Sequence, residues 1–206
     1  RFDSILFRDD RITLSNFLFE KLDEGKIINT FSVPQFSLGG LSWDNLVFEK
    51  KIKASLVYMY QPHISYTSSA KKRRKGNQGI FQSLGALNEY MDLEKLDIEK
   101  GNIDLHLGNN LQVQLNDASL SVQSNALLTS HQLAGIRNSL NYLDFASGKI
   151  QAGPLHIALE NIKYTGGNGM LQAVGISLSD DKKNVSIRLN DIAAARLLID
   201  EHSGDI

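Results

Sequence analysis

The stretch LDIEKGNIDLHLGNNLQVQLNDASLSV, residues 96–122, decides how this chain reads. Apolar side chains recur at every second position: Leu96 and Ile98, then Ile103, Leu105 and Leu107, then Leu111, Val113 and Leu115, then Ala118, Leu120 and Val122. A period of two sends alternate side chains to opposite faces of an extended strand, one face apolar and one polar. The phase of the alternation moves from even to odd numbers at Gly101 and back near Asn116. In an unbroken strand such a slip would carry the apolar set to the other face, so both points are expected to be turns or bulges. The stretch therefore reads as a chain of short antiparallel strands building one long apolar surface.

The pattern recurs. Leu143-Asp144-Phe145-Ala146-Ser147-Gly148-Lys149-Ile150 follows the pattern of residues 96–103, and Leu155-His156-Ile157-Ala158-Leu159 follows that of 111–115. Similar hairpins, each too small to bury its own apolar face, read as units of an extending sheet with a glycine turn in each. Further alternating or apolar runs occupy 31–38, 41–48, 52–66, 162–164, 176–178 and 185–189. In the longest of these Ile52, Ala54, Leu56, Tyr58 and Tyr60 share a face, Val57 and Met59 make the other half apolar, and Pro62 marks an edge or a bend.

Short helices are expected over 13–24, behind a Thr13 or Ser15 cap, and over 78–91, where Ile80, Phe81, Leu84 and Leu87 form a stripe. A third is expected over 129–142. Residues 67–79 turn abruptly to Ser, Lys, Arg and Gly and read as a flexible basic loop. The expected fold is mainly β (α+β): a curved, twisted antiparallel sheet forming a trough or open barrel with one or two short helices. Residues 1–206 then form a single β-rich domain.

Composition excludes several function classes. A net charge of −1 gives no global attraction to nucleic acid, and the absence of cysteine removes disulfides, zinc–thiolate sites and cysteine nucleophiles. The five histidines (His63, His106, His131, His156 and His202) have no metal-ligand spacing. Adjacent aspartates, Asp9-Asp10 and Asp180-Asp181, cannot converge as acid and base, and 180–184 reads as a polar hairpin turn. Residues 165–169 (TGGNG) lack the Lys-Ser/Thr of a phosphate loop and read as a hairpin tip. No catalytic site, metal or cofactor is expected. Lys71, Lys72, Arg73, Arg74 and Lys75 form the one sharp cationic run, a candidate contact for anions or lipid headgroups. No apolar block of spanning length is present, and a chain beginning at Arg1 reads as a piece of a longer protein.

Three strings resemble the AsmA-like superfamily. They are Phe31-Ser32-Val33-Pro34-Gln35-Phe36-Ser37-Leu38-Gly39-Gly40-Leu41, the run from Ile52-Lys53-Ala54 to Tyr60-Gln61-Pro62-His63-Ile64, and Leu96-Asp97-Ile98-Glu99-Lys100-Gly101-Asn102-Ile103-Asp104-Leu105. The resemblance covers roughly residues 28–125 and rests on degenerate strand patterns, not catalytic signatures. It implies a periplasmic Gram-negative protein, held in the inner membrane by an N-terminal helix upstream of this sequence. Its β-rich trough would have an apolar interior and serve outer-membrane assembly or phospholipid transport.

The candidate groove comprises Ile98, Ile103, Leu105, Leu111, Val113, Leu115, Leu120, Leu155, Ile157 and Leu159. A phospholipid or other acyl-chain ligand is its expected occupant. The alternative is a structural or adhesion-type β module that binds an envelope protein through a sheet edge.

Overall fold

A computed structural model of the chain describes residues 1–23, 26–67, 91–107, 111–124 and 139–195. Its strands are β1 (Ser4–Arg8), β2 (Arg11–Asp23), β3 (Lys26–Gly39), β4 (Ile52–Tyr60), β5 (His63–Thr67), β6 (Met91–Leu107), β7 (Leu111–Gln123), β8 (Leu140–Ala152), β9 (Leu155–Thr165), β10 (Met170–Asp180) and β11 (Val185–Ala194). All belong to one twisted sheet ordered β1-β2-β3-β4-β6-β7-β8-β9-β10-β11, with β5 between β3 and β6. Strands β1 and β11 are its two edges and do not pair with each other, so the sheet is open and not a closed barrel.

Strands β4 and β5 are one strand with a break. Gln35 pairs with Tyr60 and Ser32 with His63, so the register against β3 is unchanged across Gln61 and Pro62. Pro62 has no N–H to give, but its carbonyl accepts the Asn102 N–H at 2.8 Å, and the Gln61 N–H donates to the Glu99 carbonyl at 2.7 Å. Pro62 therefore marks a bend in a central strand, not an edge. Both β4 and β5 run parallel to β6, Ile52 beside Met91 and Thr67 beside His106. The sheet is thus antiparallel with one parallel seam. A hydrophobic pattern cannot distinguish the two pairings there, because direction depends on the chain that connects the strands.

Several sequence expectations are corrected. Residues 13–23, expected as a helix, lie in β2. Residues 41–48, expected as a strand, instead carry a π-helical turn, Asn45–Glu49. The chain leaves β3 through Gly40 at φ +61°, and the Ser42 hydroxyl bonds the Asn45 side chain, local bonding that competes with a strand ladder. Leu41, Trp43 and Leu46 then pack on Leu38, Ala54 and Val57, closing one end of the sheet. The expected helix over 78–91 lies outside the described residues except Met91, which begins β6. Of the helix expected over 129–142, the part from Leu140 onward is strand β8, and residues 129–138 lie outside the described residues. Residues 68–79 of the expected basic loop also lie outside, Lys71 to Lys75 included, while Thr67 ends β5.

Residues 96–122 fall in two long strands, β6 and β7, rather than several short ones. Both phase slips are bulges. The β6–β7 register shifts between Ile98 and Gly101 and shifts back between Gly101 and Ile103, with Lys100 at φ +55° and Asp117 at φ +53°. The same device crosses the whole sheet: Asn16, Gln61, Asn161 and Asp191 are mid-strand residues with φ between 46° and 51°. Flanking pairs place Asn16 level with Gln61 and Lys100, and Asp117 level with Asn161 and Asp191. At this line each strand's apolar spacing widens from two residues to three, as in Leu14 to Phe17, Ile98 to Gly101, Phe145 to Gly148 and Leu159 to Ile162.

The three-residue step keeps both halves of each strand apolar on the same face. Ala118, Phe145, Ile162 and Ala173 form a buried row along the line. Ile103, Leu115, Leu159 and Ile176 pack on that row from one side of it, and Leu143 and Leu171 from the other. Phe17 likewise sits 5.9 Å from Phe31 and 6.1 Å from Phe36, ring centre to ring centre. Bulged strands bend and twist more than regular ones, so the line of steps bends neighbouring strands at the same level.

Gly101 and Gly148, expected in turns, are mid-strand residues of this line. A Cβ on Gly101 would stand 3.1 Å from Ile98 Cγ2, and one on Gly148 would stand 2.9 Å from Phe145 Cε2. In each copy of the repeat, the side chain three residues earlier folds over the glycine.

Candidate functional site: an aliphatic face of the sheet

Alternation along each strand and register between strands together set what this face presents. Leu105 pairs with Val113, Val113 with Ile150, Ile150 with Ile157, Ile157 with Leu178 and Leu178 with Ile187. Six neighbouring strands thus line up six branched aliphatic side chains. Beside them run Ile103, Leu115, Leu159 and Ile176 on one flank, and Leu107, Leu111 and Leu155 on the other.

All ten candidate groove residues lie on this one face. Ile98 is buried and Leu120 stands opposite it, on the far side of the fold line. The remaining eight occupy the three rows just described and are half-buried. Ile150, Leu178 and Ile187 extend the central row and were not among the candidates. They alternate just as clearly, but only the strand order makes them neighbours of Leu105 and Val113. Toward β11 the face opens further, with Val185, Ile187 and Leu189 each about half exposed, at 45%, 51% and 53%. Six strands spaced about 4.8 Å apart give the central row a length of about 24 Å, against the roughly 15 Å that one leaflet's acyl chains occupy in a bilayer core about 30 Å thick.

The opposite face is polar. It carries a shallow depression of about 200 Å³ lined by Gln112, Gln114, Gln151, His156 and Ser177, among others. His156 Nε2 lies 2.9 Å from Asp181 Oδ2 at its rim, an exposed pair. The lining also takes in Ile150, Ile157 and Ala158, but the dip holds no buried reactive group, and the aliphatic face, which lacks a comparable hollow, presents the longer continuous apolar surface. The 180–184 segment is the hairpin turn expected of it: Asp180 Oδ1 accepts the N–H groups of Lys182 and Lys183 at 2.9 and 3.2 Å.

A set of titratable groups also lies on the polar side, contributed by the end of β4, the middle of β6 and the start of β8. Lys95 Nζ is 2.8 Å from Asp97 Oδ2, while Asp97 Oδ1 is buried without a hydrogen-bond partner. The Tyr58 hydroxyl donates to Glu99 Oε2 at 2.6 Å. That hydrogen bond, then burial, then the Glu99 charge push the Tyr58 phenol up to about 12. Burial, followed by the Asp97 charge, also raises Tyr142. No group of three or more His, Asp or Glu side chains among the described residues is placed to hold a metal ion.

The Tyr58 bond has a pH signature. An unfolded tyrosine ionises near pH 10. A raised folded-state value means that the stabilisation is fully present below about pH 10 and is lost as pH climbs toward 12. Phenolate absorbance of the folded protein should show a late step near pH 12 that Tyr58→Phe removes. A late step that survives the substitution would place it on another tyrosine.

No helix among the described residues is long and apolar enough to cross a membrane. No family model matches the chain, and no curated protein matches it.

Proposed function

We propose that this chain is a non-enzymatic lipid-handling module whose aliphatic face carries acyl chains. The observation that supports the reading is the continuous row from Leu105 to Ile187, aliphatic on every strand, half-buried from Leu105 to Leu178 and about half exposed at Ile187. A surface of this kind needs no polar recognition. Each CH₂ taken out of water contributes about 0.8 kcal/mol, so ten methylenes supply about 8 kcal/mol before the cost of immobilising the chain. The resemblance to AsmA-like proteins agrees with this reading. It adds a periplasmic setting, an inner-membrane anchor upstream, and a part in outer-membrane assembly or phospholipid transport.

Protein purified from membrane-containing cells should retain phospholipid, detected by native mass spectrometry and by organic extraction. Protein that is lipid-free, and stays so after incubation with phospholipid vesicles, would sink the proposal. A second reading, a module that recruits a protein through a sheet edge, draws on the exposed β11 strand.

A further inference from the structure

Among the described residues the outer edge of β11 has no partner strand, and its ten residues carry little that would repel one. Natural edges are blunted by proline, by lysine or by charges aimed across the edge. Strand β11 has no proline, and its charged residues are Arg188 and Asp191. Arg188 is turned back onto its own sheet, 3.6 Å from Glu160 Oε2 and 3.0 Å from Asn190 Oδ1. Val185, Ile187 and Leu189 meanwhile lie about half exposed on the apolar face. The other edge, β1, is a strand of five residues, every one of them exposed.

We infer that β11 pairs antiparallel with β11 of a second copy, about a two-fold axis at Ile187. A second copy is argued by the self-complementarity of the strand. With Ile187 opposite Ile187, Val185 meets Leu189 on the apolar face on either side of the axis. Moving the axis one residue later sets Arg188 against Arg188 and Val185 against Asp191. Moving it one residue earlier leaves only Val185, Ser186 and Ile187 to pair, because residues 181–184 form the hairpin turn before β11. A half-step slip puts apolar residues opposite polar ones. One register therefore stands above its neighbours. An axis perpendicular to the sheet keeps both apolar faces on the same side, so the row from Leu105 to Ile187 continues into the second copy. This pairing does not depend on lipid binding and extends the proposed surface if lipid is bound. A single strand edge is a small interface, so the dimer is expected to depend on concentration.

The chain has no cysteine, which makes the test direct. Residues directly opposite in an antiparallel pair have Cα atoms about 4.5 or 5.5 Å apart, within the span a disulfide bridges. Under mild oxidation Ile187→Cys should give a disulfide-linked dimer. Val174→Cys, similarly exposed at 49% but inside the sheet on β10, should remain monomeric. Ile187→Lys should abolish the concentration-dependent dimer that sedimentation velocity detects for the unaltered protein, with an unchanged circular dichroism spectrum. Three outcomes would overturn the inference: a monomer at every concentration, cross-linking of Ile187→Cys no greater than that of Val174→Cys, or open-ended oligomers in place of dimers.

Discussion

Phe145→Ala is expected to lower the free energy of unfolding by about 3–5 kcal/mol, the range for a buried phenylalanine whose neighbours cannot close in. Phe145 is 4% exposed and sits in the row where every strand takes its three-residue step. Its neighbours in that row are Ala118 and Ile162, and its ring covers Gly148. Ala118 and Gly148 have no side chain that can reach into the space an alanine would leave, and the β-branched Ile162 is held in its own buried place. Urea denaturation at constant m-value would measure the loss. A cost below about 1 kcal/mol would mean the step line is not where the sheet's stability resides.

The same contact predicts a coupling. Gly148→Ala places a methyl 2.9 Å from Phe145 Cε2 and 3.0 Å from Leu115 Cδ2, closer than packed carbons tolerate. Alone it should cost about 1–3 kcal/mol through overpacking. In the Phe145→Ala background the main obstacle is gone, and the methyl fills part of the cavity. The double variant should therefore be more stable than the sum of the singles requires, by an amount a double-mutant cycle reads directly.

That row also explains what the sequence revealed and what it concealed. Within residues 96–122 the slips at Gly101 and near Asn116 were legible as interruptions of a strand period, because long alternating runs flank them on both sides. In β2 the identical device misled. Leu14, Phe17 and Leu18 imitate the three-and-four spacing of a helix face, since one three-residue step in a short strand is enough to do so. The repeat of 96–103 at 143–150 was visible, but its glycines read as turns. What they serve is the close approach of Ile98 and Phe145, a contact visible only in three dimensions.

The apolar face was legible as a set of runs and not as a surface. Alternation marks Leu105, Val113 and Ile157, and it marks Leu178 and Ile187 equally well. Choosing among them requires strand order and register, which are long-range properties. The parallel seam between β4–β5 and β6 is hidden for the same reason.

Placing a charge in the central row should separate binding from folding. Ile157 is half-buried, with Ile150 and Leu178 on its two sides. In Ile157→Lys the long side chain can lay its methylenes on the sheet and carry its ammonium group to water, so the loss of stability should be about 1 kcal/mol. An acyl chain lying across the row would strip that ammonium of water without offering a partner, a cost of several kcal/mol. At about 1.4 kcal/mol per factor of ten, bound lipid should fall by more than tenfold while the protein still unfolds cooperatively. Gln112→Lys supplies the control, because it adds the same charge to an exposed position on the opposite face, where Gln112 pairs with Gln151. Equal loss in both variants would point to net charge, and no loss in Ile157→Lys would remove the aliphatic row from consideration as the lipid surface. Phe145→Ala should behave in the opposite way, losing stability first and lipid only as the sheet unfolds. The buried row would then hold the sheet in shape, and the half-covered rows beside it would hold the ligand.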